Sequence, residues 1–191
     1  MGNYGRKRKP GIDPAEIGYR VLLAAVVVFL LYYVHAAAVD VVWSDYIRLI
    51  DSYLPDVTNI KKFLVPDVLT RIPVTYLGRL INVRAFRYSV TFDRVLTVFG
   101  IALMGYALVL FSLKNRIRPV FFLLMMLVLG SLNKWEVLLN GTAWPHAVAI
   151  GLFFLNYYIF DRIWVGDSGA VQELLAVMMP FLLLLVAGEY I

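Results

Sequence analysis

Charged and hydrogen-bonding side chains are scarce in this sequence, so the places where they gather are informative. Asp40 and Asp45 stand at the exit of a long apolar run. Arg48 follows Asp45 by one helical turn, so the two can share a helix face. A second group, Lys134, Glu136, Asn140 and His146, flanks a short turn between two apolar segments. A carboxylate can take a proton from an attacking hydroxyl, and an arginine fork can hold a phosphate through two parallel hydrogen bonds. Together these groups suit a phosphate-bearing lipid substrate at a membrane surface. Blander roles compete: charges mark helix ends, and an exposed Asp45–Arg48 pair contributes little to stability. Lys134 and Glu136 are the stronger signal, because an apolar helix runs out where they stand and ionisable groups at membrane depth are costly.

Other chemistries are excluded or disfavoured by what is missing. With no cysteine, disulfides, thiol catalysis and Cys-ligated metal sites are ruled out. Two histidines do not suggest a His-rich metal site, and His35 reads as a packing residue in an apolar stretch. No metal or cofactor is expected. There is no Gly-rich phosphate loop, no H-E-x-x-H and no G-x-S-x-G. Asn140-Gly141-Thr142 matches the glycosylation acceptor pattern, which is short enough to arise by chance.

The elements that must position these residues are membrane helices. Of the 191 residues, 61% are hydrophobic and only 16% charged, and mean hydropathy is +0.76. A soluble domain of this size could not hide so much apolar surface. The runs approach the roughly 20 residues needed to cross a bilayer. They predict an all-α protein with about five transmembrane helices: about 17–42, 95–113, 119–132, 144–164 and 171–187. Asp13-Pro14 reads as the start of the first helix. Its apolar stretch exceeds the roughly 7–15 residues of a signal-peptide core, so it is expected to be retained. Trp144 and Trp164 bracket the fourth helix as interfacial anchors, and Pro180 is expected to kink the fifth. Tyr157, Tyr158, Phe153 and Phe154 read as lipid-facing or packing aromatics.

Residues 1–18 form a basic tail ahead of a single transmembrane domain, 19–191. The segment of about 44–94 mixes charges with apolar residues and contains Pro55, Pro66 and Pro73. It reads as an outer loop with short amphipathic helices, one of them Leu77 to Phe86, lying at the interface or over the bundle. Arg6 to Lys9 and the turn Lys114-Asn115-Arg116-Ile117-Arg118 are two crossings apart and so share a side, cytoplasmic by the positive-inside rule. The outer loop and the 133–144 turn then share the other side. The basic tail reads as a topology signal, and no nucleic-acid partner is expected.

Two stretches carry a resemblance. Ser131-Leu132-Asn133-Lys134-Trp135-Glu136-Val137-Leu138-Leu139-Asn140-Gly141 resembles a segment of bacterial membrane glycosyltransferases of the GT-C type. In those enzymes a Ser, a Trp-Glu pair and a Gly recur at similar spacing before a hydrophobic helix. Trp43-Ser44-Asp45-Tyr46 resembles the acidic start of their first outer loop. The resemblance implies transfer of a sugar from a polyprenyl-phosphate carrier at the outer leaflet of a bacterial inner membrane. It makes Asp45 the base, with Asp40 as alternate, sets Trp135 and Glu136 by the donor, and lets Arg48 meet a phosphate. The family usually has two adjacent acids where Ser44-Asp45-Tyr46 offers one, a His-Arg pair where Arg84-Ala85-Phe86-Arg87 stands, and about twice as many helices. A short relative is implied. The competing expectation is a non-catalytic subunit or scaffold with a protein partner in the membrane. A channel or transporter is the weaker third, since only His35 and Asn156 are polar near mid-membrane.

Overall fold

A computed structural model describes residues 14–38, 47, 58, 59, 61 and 73–186. All regular structure among them is helical: α1 (Pro14–Ala36), α2 (Pro73–Phe86), α3 (Val90–Lys114), α4 (Pro119–Leu129), the five-residue α5 (Trp135–Leu139), α6 (Trp144–Trp164) and α7 (Ala170–Val186). Single 3-10 turns, Leu132–Lys134 and Gly141–Ala143, lead into α5 and α6. Four segments are long and apolar enough to cross a membrane: α1, α3, the composite 119–139 and 141–164. The chain is thus an all-α protein with the makings of a polytopic membrane bundle. The expected fifth span corresponds to α7, an apolar helix of 17 residues within the described chain, and its expected last residue, Ala187, lies outside the described residues.

α1 opens with Pro14 at its first position, where the missing N–H costs nothing. Arg20 Nη2 donates to Glu16 Oε1 over 2.6 Å one turn on. The expected continuation of this helix to Val42 passes into residues outside those described.

α3 begins at Val90, five residues before the expected Val95. The cause is local. Ser89 is extended at the N-cap, and its N–H donates to Asn82 Oδ1 over 2.7 Å, so helix starts immediately after the turn. Asp93 then falls in the first turn, where the helix dipole favours a carboxylate. The outer loop accordingly ends at Ser89, and Asp93 and Arg94 belong to a membrane helix.

α3 is the central helix. One side packs on α1 through Leu30, Val34, Val98 and Ile101, with Leu138 of α5 closing the cluster. The other side packs on α6, which in turn carries α7. In lipid, helices associate by close contact between small residues, and α3 and α6 do so. A methyl group at Gly151 would lie 2.7 Å from Leu103 Cβ and 2.8 Å from the Gly100 carbonyl oxygen. A methyl group at Gly100 would run into the backbone of Ala147 and Val148.

The alternating helices leave two distinct ends. At one, Tyr19 Oη donates to Ile117 O over 2.5 Å, and Lys114 Nζ pairs with Asp161 Oδ2 at 2.6 Å. Arg116 and Arg118 lie exposed at this basic end. At the other, α2 covers the start of α3 and the end of α7, and Thr75 Oγ1 donates to Val186 O over 3.4 Å. Trp164 is 91% exposed, as an anchor should be, whereas Trp144 is 3% exposed and lies across Gly78 of α2. Trp144 is therefore a core residue that docks α2 and not an interfacial anchor. Phe153 and Tyr157 do face outward.

Gly151→Val should lower stability by about 1–3 kcal/mol through overpacking. The measurement is unfolding of purified protein in mixed micelles. Gly18→Ala, where nothing lies within 4 Å, should show no such loss.

Candidate functional site

α2 is inside-out by the standards of a soluble helix. Its buried residues are Thr75, Tyr76, Arg79 and Asn82, while Leu77 and Ile81 are about half exposed. That arrangement suits an interfacial helix whose apolar stripe meets lipid and whose polar stripe meets protein.

The polar stripe is used. Arg79 Nη1 donates to Asp93 Oδ2 in an ion pair, with the side chains 2% and 0% exposed. The turn between the partners makes the pair possible. Arg87 and Tyr88 both take left-handed φ values, 52° and 61°, which non-glycine residues adopt rarely. Asn82 holds them there. Its Nδ2 donates to Ser89 O over 3.0 Å, its Oδ1 accepts from Ser89 N, and its carbonyl accepts from Tyr88 N over 3.1 Å. Burial pushes the Tyr88 phenol from 10.0 up to about 12, with Arg79 opposing and Asp93 adding to the shift. Any stability linked to that phenol is intact below about pH 10 and lost as pH climbs towards about 12.

The next residue, Arg94, is 3% exposed and reaches another element. Its Nε donates to Leu139 O, the end of α5, over 2.9 Å. α5 exists because α4 stops. Gly130 follows Leu129, Ser131 Oγ accepts from Asn133 N over 3.3 Å, and the 3-10 turn sets Lys134 at the head of α5. Lys134 Nζ turns back and donates to the Leu129 carbonyl, capping α4. It also lines the upper part of an apolar groove between α4 and α6, floored by Met104 and Leu108 of α3.

The candidate residues thus divide. Lys134 lies over the groove, while Trp135 and Glu136 face outward, and Glu136 makes no ion pair among the described residues. Asn140 proves to be a local cap: its Oδ1 accepts from Thr142 N over 3.2 Å and Thr142 Oγ1 over 2.8 Å, starting the 3-10 turn before α6. His146 is half-buried in the first turn of α6. His35 is exposed near the end of α1, contrary to the packing role expected of it. Asp40, Asp45 and Arg48 lie outside the described residues. Among the described residues, no three His, Cys, Asp or Glu side chains gather as a metal-ligand set.

Arg79, Asn82, Tyr88, Asp93 and Arg94 were not candidates on sequence. Their signal was present: Thr75, Arg79 and Asn82 recur at helical spacing, and Asp93-Arg94 heads an apolar helix. Asp93 is fully buried in its ion pair with Arg79, an arrangement that suits a structural role. Compared with known proteins, the chain matches no family model, no curated protein and no solved structure.

Arg79→Met removes the cation that faces the buried Asp93 carboxylate and should cost about 3–5 kcal/mol in unfolding experiments. The double variant Arg79→Met/Asp93→Leu should recover most of that loss, because neither member of the pair then leaves a buried charge behind.

Proposed function

We propose that the chain is a glycosyltransferase-like membrane protein that engages a polyprenyl-phosphate-linked sugar at the α2 end of its bundle. The observation that carries this reading is the break in the third crossing. A cation, an aromatic ring and a carboxylate, Lys134-Trp135-Glu136, are set consecutively at membrane depth, and buried Arg94 secures the short helix that presents them. Continuous helix would have been the cheaper way to cross, since every backbone group would then be satisfied internally. In this reading Lys134 and Arg48 meet phosphate oxygens, and Trp135 and Glu136 flank the sugar. Asp45, or Asp40, takes the acceptor's proton. The α2 end faces the outer leaflet of a bacterial inner membrane, with the N-terminus and the Lys114–Arg118 turn cytoplasmic.

A second reading, a non-catalytic subunit that holds a protein partner, has one observation in its favour. Among the described residues, the α2 end offers two carboxylates, Asp93 and Glu136, and Asp93 is committed to Arg79. Glu136 is then the one carboxylate among the described residues of that end left for chemistry, which thins the catalytic set.

The test is a binding titration of reconstituted protein with polyprenyl phosphates and their sugar-charged forms, alongside Asp45→Asn and Glu136→Gln. Saturable binding of the sugar-charged lipids, weakened about tenfold or more by Glu136→Gln, is expected. Asp45→Asn should retain binding and lose transfer. Absence of binding to folded protein would favour the subunit reading.

A further inference from the structure

The groove beneath Lys134 has a volume of about 630 Å³, within the roughly 300–1,000 Å³ typical of ligand sites. Its walls are Leu124, Met125, Val128 and Leu129 of α4 and Phe154 of α6, over Met104 and Leu108 of α3. Lys134 is the one charged residue in this lining. From Leu124 to Leu129 the groove follows the last part of α4 for about 8 Å at helical rise, and Lys134 closes it. Its walls and floor belong to three of the segments long and apolar enough to cross a membrane.

The depth of the cation matters. α4 runs ten residues on from Pro119 to Leu129, about 15 Å of a hydrocarbon layer about 30 Å thick, and the Lys134 ammonium turns back onto its last carbonyl. An ammonium there is costly unless it is paired. Capping Leu129 satisfies one of its three donors. A lipid chain alone would leave the others unmatched, whereas an anionic headgroup drawn to this position would both pair the charge and lay its hydrocarbon along the groove.

We propose that the α3–α4–α6 groove binds a phosphate-headed membrane lipid entering sideways from the bilayer, with Lys134 gripping the phosphate. The proposal rests on the reading that the α2 end handles phosphate-bearing lipids, and it names the path of the tail. Chain and headgroup are selected separately, by the groove and by the ammonium, so either can be removed without the other.

The probe is farnesyl phosphate carrying a diazirine on its tail, photolysed with the full chain in phosphatidylcholine nanodiscs and mapped by peptide mass spectrometry. Labels are expected on Met104, Leu108, Val128 or Phe154. Unlabelled farnesyl phosphate should compete, and neither farnesol nor inorganic phosphate should. Lys134→Gln should cut labelling by about tenfold or more, the scale of one lost charge-assisted hydrogen bond; Lys134→Arg should retain it. Leu108→Trp, which fills the floor, should abolish labelling in protein that unfolds at the wild-type temperature. Labelling spread over all lipid-facing helices, equal competition by farnesol, or indifference to both Lys134→Gln and Leu108→Trp would overturn the proposal. Groove labelling without binding of sugar-charged lipids would leave the proposal standing and remove the glycosyltransferase-like reading. Sugar-lipid binding with labels outside the groove would do the reverse.

Discussion

Lipid offers no hydrophobic drive for one apolar helix to leave it for another, so helices in a bilayer associate through contact at van der Waals distance and through polar pairing. Among the described residues α3 and α6 approach backbone to backbone, where Gly100, Ala147 and Gly151 leave room for it. The register of that contact sets both ends of the bundle. At the basic end it brings Lys114 to Asp161. At the opposite end it brings Trp144 under Gly78, giving α2 a surface to lie on.

Polar residues at the α2 end are organised by burial and not by exposure. Arg79 and Asp93 are taken out of solvent together, a pairing whose net stabilisation is small but whose disruption is costly. Its value lies in specificity: it joins α2 to α3 in one orientation, across a turn that needs two left-handed residues and an asparagine to hold them. Arg94 continues the same logic, securing α5 from the helix next to it. Among the described residues that line the apolar groove, Lys134 is the charged one.

Much of this was legible in the amino-acid sequence. The apolar runs marked the membrane helices, and α6 begins and ends at the two tryptophans that were read as its limits. The first of them nonetheless has a different role, because composition identifies a tryptophan near a membrane surface but not the glycine of a distant helix that will receive it. The start of α3 was set too late since charges were read as loop, although a buried partner can carry a charge into a helix. The polar stripe of α2 was visible; its inward direction follows from lipid on the other side. The break at Lys134 was legible because α4 runs out of apolar residues there. Asn140 was read as part of a site, yet an Asn directly before a helical turn is equally a cap, and spacing alone does not separate the two roles. The Arg79–Asp93 pairing was hidden, because it depends on the turn geometry between α2 and α3.

The proposed function rests on the interrupted third apolar segment, which trades a continuous helix for a short turn bearing Lys134, Trp135 and Glu136. At its centre is the proposed match of the Lys134 ammonium with a lipid phosphate within the membrane. The most direct measurement is the nitrogen–phosphorus distance between ¹⁵N-labelled lysine and farnesyl phosphate, by solid-state dipolar recoupling in reconstituted bilayers. A close contact that disappears in Lys134→Gln is expected. Signal without phosphorus dephasing, or dephasing that survives Lys134→Gln unchanged, would contradict it.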